Sequence, residues 1–136
     1  MSDVEYRLDW LTCLEKLSYK KMSHLVEILR MTEEISDCLS RNDRVSVQMV
    51  LKSRSEEIDA LEEIRNKMQI YSESFSEEVN KEIVELLEGK YSGQSEKEAI
   101  NVAKYSKNSK SILSDIIKKD KIMSSKLAGK NSFYEN

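Results

Sequence analysis

The sequence predicts an all-α protein: an antiparallel helical bundle built on a long helical hairpin, with a shorter third helix and a mobile fourth helix. Three observations lead there. Apolar residues recur at three- and four-residue steps over most of the chain, which is the helical period. Of the 136 residues, 35% are charged and 39% apolar, with no proline and only 3 glycines, a balance that suits long solvated helices each carrying one apolar face. No run alternates apolar and polar residues between turn residues, as a half-buried strand would require.

A first helix is expected over residues 3–40. Trp10, Leu14, Leu17, His24, Ile28, Met31, Ile35 and Cys38 form one stripe, in which Lys21 fills a position. Val4, Leu8, Leu11, Met22, Leu25, Leu29 and Leu39 form a second stripe beside it. Two adjacent stripes make a broad face that needs more than one neighbour. About 38 residues give a rod of roughly 55 Å. Ser40-Arg41-Asn42-Asp43 reads as a tight turn. Asn42 tolerates the left-handed conformation that ends many helices, and Asp43, or Asn42 itself, can cap the next one. A short connection between long striped helices makes them antiparallel neighbours.

The second helix is expected over 43–71, with Val47, Val50, Leu51, Ile58, Leu61, Ile64, Met68 and Tyr71 inward. Arg54 interrupts this stripe. Its stem is expected to lie on the apolar face while its head reaches solvent, within range of Glu57; the alternative is an arginine that faces a partner. Ser72-Glu73-Ser74 breaks the pattern, and Phe75, Val79, Ile83, Leu86 and Leu87 mark a shorter helix ending near Gly89. Ser72 or Ser74 is the expected cap, and the early glutamates favour the helix dipole. Residues 89–94 are the clearest loop, a movable connection to the last helix. There Ser95 and Glu98 have capping-box spacing. Ile100, Ala103, Ile112, Leu113, Ile116, Ile117, Ile122, Met123 and Leu127 cover more of that helix than one seam needs. The polar stretch 106–111 (SKNSKS) has low helix propensity. One domain over 1–127 is expected, with Gly129 as a stop and a disordered tail over 128–136.

The net charge of −3 argues against a general polyanion binder. Its distribution is uneven. Residues 72–89 carry one Lys and six Glu, whereas 90–136 carry ten Lys and five acids, so the two segments attract each other. The lysines are interleaved with acids and serines, as on a solvated face. Cys13 and Cys38 fall on one helix, roughly 37 Å apart, too far to pair within it, and read as reduced thiols of a cytoplasmic protein. The stretch MSDVEYRLDW is acidic and lacks an apolar core, so no signal peptide is expected, and no apolar run approaches the ~20 residues of a membrane span.

Enzyme chemistry is not expected. His24 is the only histidine, and Lys21, not Glu, stands three residues before it, so the Glu-x-x-His pairs of a di-iron bundle are missing. Two cysteines separated by 25 positions make no zinc site, and neither a phosphate-binding glycine loop nor a nucleophile elbow occurs. Glu33-Glu34, Glu56-Glu57 and Glu62-Glu63 read as solvated pairs, because burial is what shifts a carboxylate pKa. No cofactor, metal or small-molecule substrate is expected.

The stretch Leu29-Arg30-Met31-Thr32-Glu33-Glu34-Ile35, Leu39, Asn42-Asp43, Arg54, Glu56-Glu57-Ile58 and Leu61 resembles the helical hairpin of flagellar type III export chaperones of the FlgN/FliT type. The resemblance covers about 40 residues best. It continues into Asn108-Ser109-Lys110-Ser111-Ile112-Leu113, similar to an Asn-containing segment before an apolar run, and to an aromatic tail at Tyr134. Asn42 stands where the family usually has Gly, and segment 72–94 departs from its pattern. The resemblance implies a cytoplasmic chaperone that binds a late substrate, a hook–filament junction or filament cap protein, and delivers it to the export apparatus. It would grip the substrate's amphipathic terminal helix in a groove and prevent premature assembly. Asn108, Ile112, Leu113, Ile116, Ile117, Met123 and Leu127 are the partner-binding residues so implied. Ile117 and Met123 stand out because a single seam does not need both. The charge asymmetry suggests in addition that helix four folds back over its own groove.

Three other functions fit the same sequence. One is a homodimeric scaffold joined through the broad face of helix one. Another is a nucleic-acid-binding module using the Lys-rich segment 97–130. The third is association of helix four with a membrane surface.

Overall fold

The computed structural model describes residues 3–90 and 92–135, with side chains described over 5–90 and 92–128. Among these the regular elements are four helices and no strand: α1 (Asp3–Ser40), α2 (Arg44–Glu73), α3 (Glu77–Leu87) and α4 (Lys97–Glu135).

The α1–α2 turn is built from backbone chemistry. Asn42 takes φ 57°, the left-handed residue that stops α1. Asn42 N–H then donates to the Leu39 carbonyl at 3.2 Å and Asp43 N–H to the Cys38 carbonyl at 2.9 Å, which satisfies two carbonyls at the end of α1. Asp43 also caps α2, accepting from the Ser46 N–H at 3.1 Å and the Ser46 hydroxyl at 2.7 Å. Those bonds hold its carboxyl below the usual carboxylate range.

Side-chain pairs give the direction of each helix against α1. Arg54 meets Thr32 and His24 meets Glu57, so α2 descends as α1 ascends. Asn101 meets Glu15, Lys119 meets Glu33 and Lys126 meets Ser36, so α4 ascends alongside α1 in the same direction. The short α3 and its following loop make that return possible. Ser76 caps α3, its hydroxyl accepting from the Val79 N–H at 3.4 Å. Neither Ser72 nor Ser74, the expected caps, does so: buried Ser72 accepts from the Asn80 amide at 2.7 Å, and Ser74 closes α2. At the other end Gly89, φ 84°, repeats the carbonyl-satisfying turn of Asn42. The positive φ favours glycine, and a Cβ there would also stand 3.2 Å from the Lys107 Cβ, a tight contact where α3 approaches α4.

Two further boundaries differ from expectation. The Ile100 N–H donates to the Glu96 carbonyl, so Glu96 rather than Ser95 occupies the cap of α4. The helix then continues through the SKNSKS stretch and past Gly129 to Glu135. A lone glycine costs a helix only about 1 kcal/mol, and no proline follows it. The side chains of Val4, Tyr91 and Tyr134 lie outside the described residues.

Packing divides along the bundle. Beside the first half of α1, Trp10, Leu11 and Leu14 pack with Ile83 and Leu86 of α3 and with Ala99, Val102 and Ala103 of α4. Further along, Leu25 and Ile28 pack with Leu61 of α2 and Ile116 of α4. Beyond them, Ile35, Cys38 and Leu39 pack with Val47 and Met123. α1 is therefore the central rod, and among the described residues most of its two stripes is covered from within the same chain, while Leu8 stays exposed.

Candidate partner-binding face

The residues singled out on α4 separate into two sets. Ile116 and Met123 are core, 4% and 6% exposed, and Ile112 and Leu127 pack half-buried against the same clusters. Leu113 and Ile117 are 45% and 49% exposed, and Asn108 is exposed as well. The reason is helical phase. Ile112, Ile116, Met123 and Leu127 recur at four- and seven-residue steps and share one seam, while Leu113 and Ile117 lie a residue further round, about 100° away.

That second face of α4 is the one α3 covers lower down. Ala99 and Ala103 pack under Ile83 and Leu86, Lys107 lies against Gly89, and the Lys110 ammonium donates to the Glu88 carbonyl at 2.7 Å. α3 ends at Leu87. Leu113 and Ile117 follow Lys110 by three residues and then four more, so they continue the covered stripe at the level where its cover stops. Lys110 stands before the pair and Lys121 four residues after it, both exposed. The result is a short apolar face with basic ends.

Two polar clusters hold the elements together, one near this face and one at the other end of the bundle. Arg54 is 13% exposed; its Nε donates to the Thr32 hydroxyl at 2.9 Å and its Nη2 to Asp120 at 2.7 Å, tying α2 to both α1 and α4. Its head is held mostly out of solvent, and it does not pair with Glu57, which instead meets His24 Nδ1 at 2.5 Å. The missed signal is Asp120 itself, an acid four residues after Ile116 on the seam of α4 and the match for an arginine on a buried face. Near the start of α1, Arg7 spans Glu82 of α3 at 2.6 Å and Glu96 at 3.0 Å, and lies 5.3 Å from the Trp10 ring centroid. Its guanidinium holds both carboxyls below their usual range. Gln94 also donates to Glu82, so the loop before α4 is fastened at two points.

Between the acidic and basic segments Lys90 pairs with Glu88 at 3.0 Å, at the junction of the two. Lys110 reaches a carbonyl rather than a glutamate of α3, and Glu82 is engaged by α1. Among the described residues, no group of His, Cys, Asp and Glu is placed to hold a metal ion, and no helix is long and apolar enough to cross a membrane. The geometry defines a helical bundle with a partly uncovered apolar helix face. Compared with known proteins, the chain matches no protein-family model, no curated protein and no solved structure.

Proposed function

We propose that the protein is a cytoplasmic flagellar export chaperone that binds the amphipathic terminal helix of a late substrate, a junction or filament cap protein, and keeps it from assembling early. The observation that carries this reading is the exposure of Leu113 and Ile117 on the face of α4 that α3 covers lower down. An incoming helix would lie where α3 would continue, with its apolar side on Leu113 and Ile117 and acidic residues towards Lys110 and Lys121. α3, with Glu77, Glu78, Glu82 and Glu85 around its apolar side, is an internal precedent for such an occupant. Lifting α4 would add Ile112, Ile116, Met123 and Leu127 to the surface offered. The scaffold alternative has less support, because Trp10, Leu14, Ile28 and Ile35 of the broad α1 face are buried within the chain.

The test is co-purification with the C-terminal helices of junction and cap proteins, followed by sizing. A complex that survives in the wild type and is lost in Leu113→Asp plus Ile117→Asp supports the reading. A folded wild-type protein that captures none of these helices rules it out.

A further inference from the structure

The apolar core is interrupted at mid-height. Between the cluster around Leu14 and the cluster around Leu25, α1 presents Ser18 and Lys21, and α4 presents Ser106 and Ser109. All three serines are buried, and the Ser18 and Ser109 hydroxyls have no hydrogen-bond partner. Lys21 occupies the stripe position that an apolar residue would take between Leu14 and Ile28. Lys21 also edges a cavity of about 400 Å³ that opens between α2 and α3 and that none of these three serines lines. That volume falls among those of small-ligand sites.

The charges around the cavity are unequally matched. Glu62 accepts from Arg65 at 3.1 Å, and Glu73 accepts from Gln69 at 3.2 Å. The Asn80 amide donates to Ser72. Among the described residues Lys21 has neither an acceptor nor a counter-ion, and Asn66 has no hydrogen-bond partner. Burial pushes the Lys21 pKa down, and the positive charges of Arg65 of α2 and Lys110 of α4 push it the same way. A half-buried ammonium, the Arg65 N–H groups that Glu62 leaves unused and a free side-chain amide thus share one cavity. The lysine and arginine are donors only, and an acceptor carrying negative charge would satisfy both.

We propose that this cavity binds a small oxyanion, a carboxylate or phosphate group held by Lys21 and Arg65 with Asn66 beside them. The site is separate from Leu113 and Ile117, and it stands whether or not the protein is an export chaperone.

The experiment is an amide ¹H–¹⁵N titration of the full chain with inorganic phosphate and, separately, with acetate, at constant ionic strength against chloride. Saturable shifts are expected at residues 65–73 and 80–87, with the Lys21 ε-carbon titrating at higher pH once the anion is bound. Lys21→Met should weaken binding about tenfold or more, the loss of one charge-assisted contact. This variant should stay folded, because an apolar side chain suits the stripe position. Arg65→Gln, an exposed change, gives a second reading in the same direction. A response to phosphate alone identifies a phosphate site, and a response to acetate, alone or with phosphate, identifies a carboxylate site. Absence of shifts with both anions, or shifts that persist unchanged in Lys21→Met, would overturn the proposal.

Discussion

Beside the first half of α1, α4 lies beneath α3, and small residues line the contact: Ala99 and Ala103 sit under Ile83 and Leu86. Beside the second half, the same face of α4 carries the larger Leu113 and Ile117, and both remain about half exposed. The change from small to large side chains coincides with the end of α3. An 11-residue helix spans roughly 16 Å, whereas the 39 residues of α4 span roughly 58 Å, so α3 cannot cover its neighbour throughout. The comparison separates two jobs on one helix face. The small residues admit a permanent neighbour closely, and the large ones offer apolar area to a transient one.

Removing side chains from the two regions should break the comparison open. Leu86→Ala, at a fully buried position between α1 and α4, should destabilise the protein by about 3 kcal/mol in chemical denaturation, because the site cannot collapse around the void. Arg54→Ala should cost nearly as much, about 2–3 kcal/mol, since it leaves Asp120 without its partner and Thr32 with only its bond to the Ile28 carbonyl, at the junction of three helices. Asp120→Asn should cost less, about 1 kcal/mol, because that carboxylate is partly in water.

Acid should loosen the α3-covered region first. Glu82 and Glu96 have folded-state pKa values below their unfolded ones. The stability they contribute is therefore full above the ordinary carboxylate range and is lost as pH falls through the lowered folded values. After allowance for solvent screening the effect is about 1 kcal/mol. Unfolding free energies measured from neutral pH into acid should show it, and Arg7→Leu should flatten that limb of the curve. At the small end, Ile117→Ser should change stability by no more than about 0.5 kcal/mol, because its side chain supports no neighbour that folding requires. A loss as large as that of Leu86→Ala would mean that Ile117 is core and the comparison fails.

Much of the fold was legible in local chemistry. The bounds of α1 and the Asn42–Asp43 turn follow from stripe length, left-handed tolerance and capping, all of which act within a few residues. The cap of α3 was not legible, because Ser72, Ser74 and Ser76 are chemically equivalent until burial against Asn80 removes the first and the end of α2 takes the second. The end of α4 was misread because a glycine permits a stop without enforcing one. For the candidate site, the sequence showed that α4 carries too many apolar residues for one seam. Which of them stay uncovered depends on the phase of α4 against α1 and on where α3 stops. Arg54 with Asp120 contributes to that phase from 66 positions apart in the chain. Lys21 was visible as an oddity in its stripe, but the cavity beside it required the placement of α2 and α3.

The most direct test of the account is to titrate the isotope-labelled chain with a peptide carrying the amphipathic terminal helix of a late flagellar substrate and to map the amide shifts. The account predicts saturable changes on α4 across residues 110–121, abolished by Leu113→Asp plus Ile117→Asp in a protein that remains folded. Saturating peptide with no change on α4, or changes that survive the double substitution, would contradict it.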